Sequence, residues 1–171
     1  MGTRRTRLKQ GDVFTIPLGD GRVYLGQVVA PHRGHAWYMT VFDGAEEPEV
    51  AARRDVTTKD PLFAALTLDV LFDLGDWEVV GRAAVDPSAH LPAYKVSLGT
   101  ADNVVIEDFD GSRQRRATEV DMATIPFRKT HGPVLLQHAV RAHEGLEPWL
   151  DYYDSARLDA RVLAEDAFGR G

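Results

Sequence analysis

Six histidines, 26 acidic side chains and no cysteine set the chemistry open to this 171-residue chain. Without a thiol there is no disulfide framework, thiolate zinc site, iron–sulfur ligation or cysteine nucleophile. Asp108-Phe109-Asp110-Gly111 opens like a calcium loop, and Glu119 falls at its twelfth place. The sixth place needs a glycine for its sharp turn but holds Arg113, and Arg115 and Arg116 would repel a cation, so the segment reads as a turn. His138 and His143 are five residues apart, about 140° around a helix, which points them to different sides and away from a shared metal. His32 and His35 flank Arg33-Gly34, where a pair could act as acid and base, although exposed turn histidines more commonly have no catalytic role. Gly19-Asp20-Gly21 is followed by a strand pattern, whereas a phosphate cradle needs a helix N-terminus behind its glycines. Carboxylate pairs such as Asp69 and Asp73 read as a solvated face. The expectation is therefore no catalytic residue, no metal and no cofactor.

Contact chemistry is the stronger signal. Lys and Arg number 20 against 26 Asp and Glu, a formal charge of −6. Four of those bases (Arg4, Arg5, Arg7, Lys9) lie in the first ten residues, which leaves 16 bases against 26 acids, or −10, in the rest. A body so acidic suits a basic partner or plain solubility better than nucleic acid, and composition alone does not separate those two. Asp43, Glu46, Glu47 and Glu49 cluster in a polar stretch just past a predicted strand, where binding loops commonly sit. Trp37 or Tyr38 could add the aromatic anchor that interfaces favour. A plain solvated loop remains the alternative at these positions.

Those residues need a scaffold, and the pattern supplies one. Residues 1–10 read as a disordered basic arm, with one domain over 11–171. Val13 to Leu18 is a β-branched and aromatic run that stops at Gly19-Asp20-Gly21, a hairpin signal; Arg22 to Ala30 forms the return strand. Gly26 inside that return marks a bend, a bulge or a close backbone approach. A third strand spans Ala36 to Phe42, and a polar excursion with room for one helical turn spans Asp43 to Pro61. Leu68, Val70 and Phe72 alternate with Thr67, Asp69 and Leu71, predicting a strand over Leu66 to Phe72; the spacing Leu62, Leu66, Val70 would equally suit a helix. Further strands are predicted at Trp77–Gly81, Tyr94–Leu98 and Val104–Glu107. Thr118 and Asp121 are spaced to cap a short helix that ends before Pro126. Leu135, Leu136, Ala139 and Val140 form one face of a helix running from Pro133 to about His143. A last helical stretch, with Leu158, Val162 and Leu163 on one side, runs towards Phe168. Strands first and helices last predict an α+β fold: a curved antiparallel sheet or partly open SH3-like barrel followed by C-terminal helices. The densest apolar stretch, Leu62 to Phe72, is far short of the ~20 residues a membrane span needs.

The segment from Leu8 to Val28, with Gly11-Asp12, Ile16-Pro17-Leu18, the Asp20-Gly21 turn and Gly26-Gln27-Val28, resembles the opening of the bacterial immunity protein 26 family. Trp77-Glu78-Val79-Val80-Gly81, Pro92-Ala93-Tyr94-Lys95 and Arg116-Ala117-Thr118 continue the likeness in order. The resemblance implies a cytoplasmic, non-enzymatic antidote of a polymorphic-toxin system. Such a protein binds a cognate toxin domain; the acidic body suggests a basic one, and side-chain chemistry alone, not the resemblance, nominates Asp43, Glu46, Glu47, Glu49, Trp37 and Tyr38 as expected contacts. The rival reading is a nucleic-acid-binding or RNA-cleaving SH3-like barrel with Arg4, Arg5, Arg7, Arg22, His32, Arg33 and His35 as a basic face.

Overall fold

The computed structural model describes residues 6–169; Arg4 and Arg5 of the expected basic arm lie outside the described residues. From Thr6 onward, the Thr6 N–H donates to Asp73 at 2.8 Å and Leu8, only 4% exposed, enters the core. The chain groups into two units, each built from two segments: Met1–Val85 with Thr130–Leu158, and Asp86–Lys129 with Asp159–Gly171.

The first unit is an antiparallel sheet of β1 (Asp12–Pro17), β2 (Val23–Pro31), β3 (Ala36–Phe42), β4 (Pro61–Leu68) and β5 (Glu78–Arg82), in the order β4-β3-β2-β1-β5. The end strands do not pair with each other, so the sheet stays open. Register shifts at Val13/Phe14, Val28/Ala30 and Val41/Phe42 are the irregularities that bend such a sheet. The first hairpin closes because Gly19 and Gly21 adopt φ of +90° and +96°, and because Asp20 accepts the Arg22 backbone N–H at 3.0 Å. Gly26 lies directly opposite Phe14, and a Cβ there would stand 2.4 Å from the Phe14 ring. Close approach is therefore what this glycine provides. The ring it admits stacks on Trp77 (5.3 Å, 13°) and meets the edge of Phe72 at 5.0 Å.

Strand alternation gives the sheet two apolar faces. Phe14, Ile16, Tyr24, Val28, Met39, Val41, Phe63 and Ala65 pack with Leu135, Leu136, Ala139 and Val140. Those four leucine, alanine and valine residues come from the α-helix Val134–His143, which has the amphipathic spacing expected of it. Val13, Val23, Leu25 and Phe42 pack on the other face with Ala51 and Val56 from the polar excursion. That excursion contains α1 (Pro48–Ala51) and a 3-10 turn at Val56–Thr58. The strand expected over Leu66–Phe72 is displaced. β4 ends at Leu68, and α2 (Val70–Asp73) follows. Phe63 to Thr67 are all buried, so β4 has no alternation to read, and the apolar residues beyond it belong to a helical turn.

The second unit holds a three-stranded antiparallel sheet, β6 (Tyr94–Ser97), β7 (Val104–Glu107) and β8 (Gln114–Arg116), with α3 (Glu119–Thr124). The Val134–His143 helix of the first unit is α4, and α5 (Ala164–Phe168) belongs to the second. Ala93, Ile106 and Ile125 form the small core here, joined by Ala117, Val162, Ala167 and Phe168. The last helical stretch is shorter than expected: a 3-10 turn at Leu158–Ala160 precedes the five residues of α5. The architecture is α+β, with helices mostly C-terminal.

Candidate interaction surface

The polar excursion is stitched to the sheet by its backbone. Val23 and Glu46 exchange N–H···O bonds of 2.8 and 2.9 Å, and the Asp43 N–H donates to the Asp60 carbonyl at 2.9 Å. This stitching sorts the four expected acids. The Glu46 side chain, 11% exposed, accepts from Arg54 Nε at 2.7 Å and lies 3.3 Å from Lys59 Nζ. It holds the loop together. Asp43 is 57% exposed and 3.6 Å from His143 Nε2. Glu47, just before α1, and Glu49, within it, are exposed and make no ion pair among the described residues.

The aromatic pair is divided as well. Tyr38, 3% exposed, is inside the protein, as is Trp77. Trp37 is half-buried, packed against the main core. It sits at the start of β3, whereas Asp43 follows its end, six residues or about 20 Å along an extended strand. The six expected contacts thus fall at two ends of one strand rather than in one patch.

At the Trp37 end is a groove of about 850 Å³, lined by Thr6, Arg7, Leu8, Lys9, Gly34, His35, Trp37 and Asp69. The β3–β4 register pairs Ala36 with Leu68 and Trp37 with Thr67, so extending it by one residue sets His35 opposite Asp69. His35 Nδ1 is 3.8 Å from Asp69 Oδ2, outside hydrogen-bond range. Asp69 is only 8% exposed, and Asp73 accepts the Thr6 N–H, which corrects the reading of these two carboxylates as a solvated face. Asp69 was missed because its neighbours are supplied by strand pairing; the signal that could have found it is that register.

The basic face of the rival reading is partly consumed. Arg22 bonds Asp20 at 2.7 Å and Glu144 at 3.1 Å. Glu144 also accepts from the Tyr24 hydroxyl at 2.5 Å, and burial, followed by that carboxylate, pushes the phenol well above its ordinary value. Arg7, Lys9 and His35 do share the groove, so the surface there is mixed, with an acid at its floor.

In the second unit the Asp108 carboxylate accepts from Ser112 Oγ (2.9 Å), the Arg113 N–H (3.1 Å) and Arg113 Nε (3.0 Å). Burial works to raise Asp108, but these donors outweigh it and the carboxyl lies below its ordinary range. The guanidinium at the loop's sixth place fills the position a cation would take. His138 turns to Glu147 (2.8 Å) while His143 turns to Asp43. Glu147 also accepts from Arg141 (3.0 Å) and Tyr153 (3.1 Å). No helix of the described residues is long and apolar enough to cross a membrane.

An open five-stranded antiparallel sheet, begun by a glycine-rich hairpin, defines a small α+β protein. The chain belongs to the immunity protein 26 family, whose model matches residues 9–103, more than half its length and all of β1 to β5. Membership implies an immunity role directed at a toxin, in a family that is generally non-enzymatic. No curated protein and no solved structure matches the chain.

Proposed function

We propose that this protein neutralises a bacterial polymorphic-toxin domain by stoichiometric occlusion in the cytoplasm, breaking no bond itself. The family match over the whole five-stranded sheet carries the reading. The exposed acids Asp43, Glu47 and Glu49 support a basic partner, because a negative patch speeds encounter with a positive one. Glu46 is left out of this set, since its carboxylate is engaged within the loop. Trp37 supplies half-buried aromatic surface of the kind interfaces use.

The test is co-expression with candidate bacterial toxin domains, beginning with any that a neighbouring gene encodes. Protection of the host and a 1:1 complex on size exclusion are expected; survival without a complex would overturn occlusion. The competing nucleic-acid reading has one observation in its favour, the shared position of Arg7, Lys9 and His35 beside Trp37. Degradation of RNA by the purified protein, lost in His32→Ala, would support it.

A further inference from the structure

The groove beside Trp37 has an unusual floor. Asp69 is 8% exposed as a residue and its side chain 12%, and its carboxylate accepts no hydrogen bond among the described residues; the His35 ring Nδ1 lies 3.8 Å from it. The carboxylate does not cap α2 either. Thr67, the cross-strand partner of Trp37, is fully buried, and its hydroxyl has no hydrogen-bond partner among the described residues. His35 and Asp69 lie just beyond the ends of β3 and β4 and line the groove together with Trp37. A carboxylate largely withdrawn from water gains from a donor brought to it. The groove therefore leaves the Asp69 carboxylate open to an incoming donor.

We propose that the groove is the socket for an arginine side chain of the protein partner. This rests on the toxin-binding reading and names what its anchor would be. A guanidinium is planar and rich in N–H donors. It can give two parallel bonds to Asp69 while its face lies on the Trp37 indole, whereas an ammonium offers neither the fork nor the plane. The apolar wall of Leu8 and Trp37 receives the methylene stem. Charge complementarity selects the occupant at the floor. Arg7 and Lys9 are exposed at the rim, where solvent and salt weaken their opposition.

The experiment uses the whole protein without its toxin, so its failure is separable from failure of toxin protection. The probe is the blocked tripeptide glycyl-arginyl-glycine amide, followed by NMR, with the same peptide carrying neutral, isosteric citrulline as comparison. Saturable shifts of the Trp37 indole N–H and of Asp69 are expected, with a Kd on the order of 1–10 mM, the weak end of the affinity scale. Citrulline should lose that response, and Asp69→Asn should weaken binding by about tenfold. Equal shifts from the two peptides, or arginine shifts spread over surface acids without Trp37, would overturn the proposal. So would a single-stranded oligouridylate that perturbs the same resonances and is displaced by salt, an outcome that assigns the groove to nucleic acid. Should Asp69→Asn fail to fold, the arginine–citrulline comparison on the unmodified protein still decides.

Discussion

Phe14 and Gly26 show how one cross-strand pair makes room for a ring in the core. The ring occupies the space a side chain at position 26 would need, and it sits there against Trp77 and Phe72. Gly26→Ala must push the ring off both neighbours. Overpacking of this kind costs about 1–3 kcal/mol, measurable as a lower urea midpoint with an unchanged slope. The glycine was legible in the sequence as a point of bend, bulge or close approach; which of these it is depended on Phe14, its cross-strand partner. Asp69 illustrates the opposite case. Its spacing from Asp73 looks like a water-exposed pair, and nothing local reveals that Asp69, between β4 and α2, is only 8% exposed.

Among the elements, those with strong local rules were the most legible. Thr118 and Asp121 form the expected capping box, with the Thr118 hydroxyl accepting from the Asp121 N–H and Asp121 accepting from the Thr118 N–H. Beyond the box, Arg115 on β8 donates to Asp121 at 3.0 Å and holds its carboxyl far below the usual carboxylate range. The folded form thus prefers the ionised acid. That stabilisation is complete above the unfolded value of about 3.9 and drains away as pH falls through it towards the folded one. Asp121→Asn should destabilise the α3 region by about 1–3 kcal/mol at pH 7, with a deficit that narrows towards pH 2. Hydrogen exchange of the α3 amides at pH 7 and pH 3 would show it; an equal deficit at both would contradict the linkage. β8 itself left no trace in the sequence, because Gln114-Arg115-Arg116 has no apolar residue and is recruited by pairing with β7. β4 was blurred for the converse reason, being buried on both faces.

At the scale of the molecule, charge is the property most directly tied to the proposed role. The formal −6 is unevenly used: many acids are spent on internal arginines, and Asp43, Glu47 and Glu49 are among those that face water. Reversing these three to lysine should slow association with a basic toxin by about tenfold at low salt, with little change in dissociation. The difference should shrink near 0.5 M salt, where screening is nearly complete at these distances. Association kinetics that ignore the substitutions would move the contact surface elsewhere.

The order in which the chain leaves the ribosome gives α4 a further importance. All five strands of the large sheet have been made by Arg82, and the stretch shared with the family ends at residue 103. The leucines, alanine and valine that roof the principal core lie only at 135–140. A nascent chain therefore carries a finished sheet with one greasy side bare for some fifty residues of synthesis. Such an interval invites chaperone engagement, and a premature stop before α4 would yield a sticky fragment rather than a smaller antidote.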